Sequence, residues 1–390
     1  MITWGKSMNN SEKTIVDSLV RTSFNVVVAA VIAASILVTG LIIFPISNSN
    51  NNNLLMLHTS NQIAYGTTDG MYNYTGVEPT TKAFMEKVNA GPLLNTLTPQ
   101  KARAVISELQ ASYPVQKLPA DIVNRTIPGG PNATEVSITI VRPPNSSNET
   151  LPVVMYFHGG GWILGGFNTY DRLVRELANK ANVTVVFVNY TPSPEAKYPV
   201  ALEQVYAATK WVAQNGQTIH VNSSRLAVVG DSAGGNMAAA VTLLAKERGG
   251  PKITFQVLFY PVTNANFNST SYIKYQKGYY LTRDAMKWIW DNYAPDKAIR
   301  SLITVSPLQA SIEQLKGLPP ALIITDEFDV LRSEGEAYAH KLIDAGVPVT
   351  ATTYLGTTHD FVRVNQLADT PAARGAISQA SDILKEHLWK

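Results

Sequence analysis

A chain of 390 residues, 45% of them hydrophobic, is long enough to bury one large α/β core or two smaller ones. Its net charge of +3 is small and its Lys and Arg residues are scattered, so we expect no nucleic-acid partner. The absence of cysteine excludes disulfides, thiolate zinc sites and a cysteine nucleophile. Any covalent catalysis must therefore use serine, threonine or carboxylate chemistry.

An apolar segment is the first element in chain order. Residues 23–45, SFNVVVAAVIAASILVTGLIIFP, carry no charge and are long enough as a helix to cross a bilayer. Three Lys or Arg residues precede the segment, whereas the next one after it is Lys82, which places the N-terminus in the cytoplasm. We therefore expect a cytoplasmic N-terminus over residues 1–22, a single-pass membrane anchor over 23–46 and an extracytoplasmic catalytic portion.

A cleaved signal peptide, which would leave a secreted protein, is the alternative interpretation of this segment. The apolar core of a signal peptide is usually ~7–15 residues and ends at a small-residue cleavage site, which FPISNSNNNN does not offer. N-glycosylation sequons suit an exported protein, although an Asn-rich sequence also creates such triplets by chance. They include those that begin at Asn73, Asn124, Asn132, Asn145, Asn148, Asn182, Asn222 and Asn268.

A polar linker and a helical region follow the apolar segment. Residues 47–53, SNSNNNN, form a low-complexity tether that cannot pack a core. Residues 54–120 have the pattern of helices and loops, most clearly in TTKAFMEKVNA and TPQKARAVISELQASY. Thr98 and Pro99 supply an N-cap and a first helical residue for the second of these. We interpret residues 54–120 as N-terminal cap helices and expect no strand there.

Strand patterns begin at Glu135. The alternating VSITIVRP is followed by the apolar runs PVVMYFH, VTVVFVNY, RLAVVG, TFQVLFYP and PALIITD, which are typical of strands buried on both faces. Helical stretches such as YPVALEQVYAATKWVAQNG lie between them, so the chain predicts an α/β catalytic domain over residues 121–390. Residues 264–312 interrupt the alternation with an aromatic-rich stretch, which we interpret as a cap insertion.

The stretch VVGDSAGGN places Ser232 where a predicted strand meets a predicted helix. Gly230 to Gly234 satisfy the pattern G-x-S-x-G, in which a serine on a strained turn projects above a sheet and its neighbours must be small. Two alternatives remain for the glycines alone: a tight corner without catalysis, or a phosphate-binding helix N-terminus. A nucleophilic serine needs a base and an acid, so the rest of the chain decides.

Two of the six histidines lie where a base is needed, and His359 is the better candidate. It lies in LGTTHDF after the strand-like PVTATTYL, whereas His158 ends a strand and opens HGGGW. The stretch PALIITDEFDVLRSEG offers three acids just beyond a strand end, and their spacing does not choose among them: Asp326, Glu327 and Asp329. The resulting order of serine, acid and histidine is that of α/β hydrolases. The glycines of HGGGW present backbone N–H groups suited to binding an oxyanion.

Together, HGGGW, GDSAGGN, DEFDVLRSEG and GTTHDF resemble the hormone-sensitive-lipase-like (bacterial family IV type) carboxylesterases of the α/β-hydrolase fold, from about residue 80 to the C-terminus. The resemblance implies a mostly parallel eight-stranded sheet with a helical cap. It also implies Asp329 as the catalytic acid and an oxyanion hole from the N–H groups of Gly160, Gly161 and Ala233. The chain differs from the family pattern at NYTPSPEAKYP, at Ser333 in place of an acid and at Asp360 in place of a glycine.

These features predict a serine carboxylesterase with Ser232 as nucleophile, His359 as base and no cofactor or metal ion. The resemblance implies that its substrates are esters of short to medium acyl chains. Aromatic residues in or near the cap are candidates for lining the pocket: Trp162, Tyr279, Tyr280, Trp288 and Trp290. A peptidase or amidase, a membrane-lipid lipase and a non-catalytic binding protein on the same fold are the alternatives. The sequence leaves the natural ester open, and a homodimer is a further open possibility.

Overall fold

The computed structural model describes residues 72–390. The predicted cytoplasmic N-terminus, membrane anchor and linker, with the start of the cap region, lie outside the described residues. Within the described part of the chain, no helix combines the length and the apolar character needed to cross a bilayer.

An eight-stranded sheet forms the centre of the described structure. Its strands are β1 (Asp121–Ile127), β2 (Val136–Arg142), β3 (Leu151–Phe157), β4 (Thr184–Asn189), β5 (Val221–Asp231), β6 (Phe255–Phe259), β7 (Ala321–Phe328) and β8 (Val349–Thr358). Their order across the sheet is β1-β2-β4-β3-β5-β6-β7-β8. Strand β2 runs antiparallel to β1 and β4, whereas all other neighbours are parallel. The sheet is therefore mostly parallel, as predicted.

The apolar runs form the central strands because their side chains are buried on both faces. In β3, Val153, Met155 and Phe157 pack into the core on one side, whereas Val154 and Tyr156 pack into the core on the other. Strand β1 was not expected as a strand. Its sequence DIVNRTI is largely exposed at the sheet edge, so it lacks the apolar pattern that marks the buried strands.

Helices cover both faces of the sheet and form the cap. In chain order they are α1 (Pro79–Asn89), α2 (Pro99–Ala111), α3 (Phe167–Ala181), α4 (Val200–Asn215), α5 (Ala233–Glu247), α6 (Thr270–Lys274), α7 (Arg283–Tyr293), α8 (Ile312–Leu315), α9 (Arg332–Asp344) and α10 (Pro371–Leu388). Helices α3 and α10 pack on one face, and α4, α5 and α9 pack on the other. Helix α2 begins as predicted, since the Thr98 side chain accepts a hydrogen bond from the Lys101 N–H and Pro99 is the first helical residue.

Candidate active site

Ser232 occupies a strained turn between β5 and α5. Its backbone has φ 53° and ψ −119°, a left-handed conformation that is unfavourable for a residue with a side chain. The turn is held because the Ser232 N–H donates to the Phe259 carbonyl at 2.9 Å and the Ser232 carbonyl accepts from Val262 at 3.1 Å. A Cβ on Gly234 would strike the backbone carbonyl of Phe157, so the strand and helix approach as closely as the motif indicates.

Three of the predicted site residues form one hydrogen-bonded chain. The His359 Nε2 atom lies 3.0 Å from the Ser232 Oγ, and its Nδ1 atom lies 2.7 Å from the Asp329 Oδ2. The other oxygen of Asp329 accepts the Leu331 N–H at 3.0 Å, which fixes the carboxylate plane. All three side chains are buried. This geometry permits a proton to pass from the serine hydroxyl to the imidazole.

The two other acids that spacing left open do not contact His359 in this way. The Glu327 carboxylate is half-buried and accepts the Gly356 N–H at 2.9 Å, which ties β7 to β8. Asp326 is fully buried beside Asp329. A register irregularity in the β7 and β8 pairing falls between Asp326 and Phe328, just before the residue that reaches the histidine.

Asp326, Asp329 and His359 are also the group in the described structure with the spacing of metal ligands. One carboxyl oxygen from each acid and one ring nitrogen of His359 lie within 4.8 Å of one another. The shared Asp329 and the imidazole are already hydrogen-bonded to each other, and the imidazole also reaches Ser232. The arrangement therefore fits proton transfer to a serine better than metal binding.

The loop that carries His359 is fixed from two directions. The buried Arg172 side chain on α3 donates to the Val362 carbonyl at 2.6 Å and to the Arg363 carbonyl at 3.0 Å. From α2, the Gln110 amide donates to the Arg363 carbonyl at 2.9 Å, and its oxygen accepts the Asn365 N–H at 3.1 Å. A helix of the core and a helix of the cap therefore hold the same loop.

The glycine loop after β3 faces the serine. Gly160 and Gly161 have φ angles of 87° and 62°, a conformation that favours glycine. A Cβ on Gly161 would lie 2.8 Å from the Ile289 side chain. Within the described residues, the Gly160 and Gly161 N–H groups have no acceptor, and Ala233 begins α5 without a side-chain cap. Gly160 and Gly161 border the cavity that holds Ser232.

Asp231 joins the glycine loop to the serine turn, a role that the sequence reasoning did not identify. Its Oδ1 accepts the Gly159 N–H at 3.0 Å and the Tyr156 hydroxyl at 2.9 Å, and its Oδ2 accepts the Tyr170 hydroxyl at 2.9 Å. Burial is the main cause that raises the pKa of Asp231, to about 6, and the Asp360 charge adds to it. The only sequence signal was an acidic residue directly before the motif serine.

His158 supports the glycine loop and does not reach the serine. Its ring stacks on Tyr190 with centroids 4.2 Å apart, and its Nδ1 lies 2.9 Å from the Gly159 carbonyl. Burial lowers the pKa of His158 to about 4, so the ring is neutral at physiological pH. His387 lies outside the site as well: it is on α10, where its Nδ1 lies 3.0 Å from the Ile383 carbonyl.

Asp360 brings a charged group into the site beside the histidine. It has φ 66°, and its Oδ2 accepts hydrogen bonds from Arg363 at 2.6 Å and from the Tyr280 hydroxyl at 3.2 Å. Its Oδ1 lies 3.7 Å from the His359 Nε2. Burial lowers the pKa of His359, but the charges of Asp329 and Asp360 outweigh burial, and the net pKa is raised above its usual value. The imidazolium is thus stabilised electrostatically.

Two adjoining cavities lead to the serine. An inner cavity of about 30 Å³ is bordered by Ser232, His359, the glycine loop, Ile289 and Leu281. An outer cavity of about 330 Å³ opens between α1, α2 and the start of α7. The two share the walls formed by Leu94, Ile106 and Tyr280. Both cap segments therefore enclose the approach to Ser232.

The position of the Trp162 side chain contradicts the prediction that this residue lines the substrate pocket. Trp162 is fully buried behind the glycine loop, stacked on Tyr293 with centroids 4.0 Å apart and packed against Trp290. Its indole supports the loop rather than lining a cavity wall. Of the candidate aromatic residues, Tyr280 lines both cavities, whereas Tyr279 stacks on Phe328.

Arg103 fastens the cap to the glycine loop. Its Nε donates to the Ile163 carbonyl at 2.8 Å, and its Nη2 donates to the Ser193 carbonyl at 2.8 Å. The guanidinium also forms a two-pronged ion pair with Glu195, at 2.6 and 2.8 Å. Helix α2 is therefore joined to the segment that follows Gly161.

Comparison with known proteins agrees with this fold. The family described as alpha/beta hydrolase fold matches residues 154–363, and the chain belongs to it. The carboxylesterase NlhH of Mycobacterium tuberculosis is 36% identical over 288 residues, 74% of this chain and 89% of its own length. An ethyl acetate hydrolase of Pseudomonas putida is 33% identical over 253 residues, 64% of this chain and 78% of its own length.

Solved structures give the same result. A thermostable esterase from Pseudomonas putida ECU1011 is 50% identical with a TM-score of 0.78, and the match covers 80% of this chain and 98% of that one. An esterase of Rhizomucor miehei is 40% identical with a TM-score of 0.77, over 80% of this chain and 97% of that one. The protein is thus a carboxylic ester hydrolase of the hormone-sensitive-lipase-like type, as the motifs indicated.

Proposed function

We propose that the protein is a serine carboxylesterase that hydrolyses short to medium acyl esters through Ser232, His359 and Asp329. The observation that carries this proposal is the hydrogen-bonded chain of 3.0 Å and 2.7 Å from Ser232 through His359 to Asp329, which starts at a strained turn. Such a chain activates a hydroxyl that is too weakly acidic to attack unaided.

The proposed reaction begins with attack of the Ser232 Oγ on the ester carbonyl carbon. His359 Nε2 takes the serine proton, and Asp329 holds the ring in the tautomer that leaves Nε2 free to accept it. The N–H groups of Gly160, Gly161 and Ala233 bind the oxyanion. The imidazolium then protonates the leaving alcohol, and water repeats the cycle on the acyl-enzyme to release the acid and restore Ser232.

The cavities support the preference for short to medium acyl chains. The inner cavity of about 30 Å³ next to Ser232 admits only a small group, whereas the outer cavity of about 330 Å³ accommodates a longer one. Their common wall at Leu94, Ile106 and Tyr280 is mainly apolar, which suits hydrocarbon chains. A narrow inner cavity beside the nucleophile also disfavours branched acyl groups.

The test compares single variants of the full chain on p-nitrophenyl butyrate. We expect Ser232→Ala to lower kcat by about 10⁴-fold or more, since the members of a triad act as a unit. Ser333→Ala, on the far side of the acid motif, is the matched control and should keep most of the activity. Unchanged turnover in Ser232→Ala would exclude the proposal.

The acid is tested by comparing Asp329→Asn with Asp326→Asn. We expect the Asp329 change to lower kcat by about 10⁴-fold, because the amide favours the wrong tautomer of His359. The Asp326 change should have a much smaller effect. The reverse order would show that Asp326 is the catalytic acid. Matched butyrate ester and anilide substrates separate an esterase from an amidase.

We also propose that the enzyme is a single-pass membrane protein whose catalytic domain is extracytoplasmic. The uncharged segment 23–45 and the Lys and Arg residues before it support this topology. Eight of the sequon asparagines are each at least partly exposed in the structure: Asn73, Asn124, Asn132, Asn145, Asn148, Asn182, Asn222 and Asn268. Protease digestion of the full chain in sealed membranes tests this topology. A catalytic domain found on the cytoplasmic face of the membrane, instead of the opposite face, would refute it.

A further inference from the structure

Asp326 is a fully buried acid that the proposed mechanism does not use. It lies in β7, pairs with Tyr354 of β8 and precedes Asp329 by three residues. One oxygen of Asp326, one oxygen of Asp329 and one ring nitrogen of His359 lie within 4.8 Å of one another. Two carboxyl groups are therefore packed behind a single imidazole.

No donor of the described residues reaches either oxygen of Asp326. The Arg332 charge lowers the pKa of Asp326, but its guanidinium is bonded to Glu336 at 2.8 Å. The other nearby acid, Asp360, is paired with Arg363. A buried carboxylate without a donor is strongly unfavourable, and a second negative charge beside Asp329 makes it more so.

Asp329, in contrast, has the hydrogen-bond donors that a buried ionised carboxylate needs. It accepts the Leu331 N–H on one oxygen and the His359 Nδ1–H on the other. The negative charge of the pair therefore belongs on Asp329, and the proton of the pair belongs on Asp326.

We propose that Asp326 is a neutral carboxylic acid whose hydroxyl donates a hydrogen bond to the Asp329 carboxylate, which makes Asp326 a positioning residue for the proposed triad. The inference rests on the proposed function for its catalytic consequence. Burial raises the pKa of Asp326 well above its usual range, and the charge of Asp329 and a hydrogen bond to it raise the pKa further. Asp326 thus adds a third donor to Asp329 without adding a charge beside His359.

The catalytic consequence concerns the proton affinity of His359. A hydrogen-bond donor on Asp329 weakens the attraction between the Asp329 carboxylate and the His359 imidazolium. The pKa of His359 is therefore lower than it would be beside an Asp329 without that donor. Loss of that donor should raise the pKa of His359 and move the acid limb of kcat/KM to higher pH.

The test uses two variants of the full chain and the pH profile of kcat/KM on p-nitrophenyl butyrate. Asp326→Asn keeps a donor and no charge, so its acid limb should stay within about 0.3 pH unit of the wild type. Asp326→Leu has the same branched shape without a donor, and its acid limb should rise by about 0.5–1 unit. An ionised Asp326 predicts the opposite sign, because both variants would then remove a negative charge and lower the limb.

A second measurement does not depend on activity or on the leucine variant folding. The infrared difference spectrum between the wild type and Asp326→Asn at pH 7 should contain the carbonyl band of a protonated carboxylic acid that only the wild type has. Absence of that band would overturn the inference even if Ser232→Ala is inactive. An unchanged acid limb in a folded Asp326→Leu would overturn the positioning role. A measured content of one metal ion per wild-type chain, lost in Asp326→Asn, would also overturn it. Full activity of Ser232→Ala with the band present would refute the proposed function alone.

Discussion

The junction between the cap and the glycine loop allows a prediction with a worked magnitude. Arg103→Ala removes two half-buried hydrogen bonds, to the carbonyls of Ile163 and Ser193, and one ion pair with Glu195. A buried hydrogen bond from a charged donor contributes about 1.5–3 kcal/mol net, and because these two carbonyl bonds are only half-buried we expect about 2–4 kcal/mol from them together. The carboxylate of the ion pair is 45% exposed, and such surface pairs contribute less than about 1 kcal/mol.

The two carbonyl hydrogen bonds of Arg103 should therefore contribute more to stability than its ion pair with Glu195. Arg103→Ala should reduce the free energy of unfolding by about 2–4 kcal/mol, whereas Glu195→Gln, the matched control, should reduce it by less than about 1 kcal/mol. Because Ile163 follows Gly161 by two residues, Arg103→Ala should also lower kcat/KM by loosening the proposed oxyanion hole. Arg103→Lys keeps the charge and cannot reproduce the forked contacts, so it should fall between them.

Urea denaturation followed by tryptophan fluorescence measures the first effect, and kcat/KM on p-nitrophenyl butyrate measures the second. Equal losses in Arg103→Ala and Glu195→Gln would refute the reasoning, because the ion pair would then carry the stabilisation. A stability loss without any loss of kcat/KM would show that the glycine loop keeps its geometry without Arg103.

Three further predictions concern the site itself. The charges on Asp329 and Asp360 outweigh the burial that lowers the pKa of His359, so Asp360→Asn should move the acid limb of kcat/KM to lower pH; an upward shift in the pH profile would contradict this. Gly234→Ala should abolish activity and lower the urea midpoint, because its Cβ would strike the Phe157 carbonyl, whereas Gly235→Ala, whose Cβ would lie 3.0 Å from Pro261, should have a smaller effect on both. Ile289→Ala should widen the inner cavity and raise the ratio of hexanoate to acetate hydrolysis; an unchanged chain-length profile would count against the cavity assignment.

Much of the fold could be predicted because buried parallel strands have a distinctive composition. The runs that became β3 to β7 are apolar on both faces, and the pattern of burial in β3 and β6 is continuous. Strand β1 was not predicted because most of its residues face solvent and therefore lack an apolar pattern. It forms a strand because it pairs with β2, which the local sequence of β1 does not reveal. Composition alone did not distinguish this edge strand from a loop.

The candidate site was predictable where chemistry fixes a local motif. The serine turn and the glycine loop each need glycine at stated positions, so Ser232 and Gly160 could be recognised. The choice of Asp329 over Asp326 came from family resemblance, since both acids lie at the end of the same apolar run in the sequence. In the structure Asp326 is still paired within β7, whereas Asp329 lies beyond the strand end and the register irregularity. Arg103, Gln110 and Asp231 act through contacts with residues distant in sequence, which no local pattern records.

The anchoring of the His359 loop by Gln110 has a consequence for redesign. Exchanging or deleting the N-terminal cap is a natural way to change the substrates of such an enzyme, since both cavities border it. In this protein the same helix holds the Arg363 carbonyl and the Asn365 N–H of the loop that carries the proposed base. A grafted cap must therefore bring a glutamine at the equivalent place, or the new pocket will be served by a misaligned histidine.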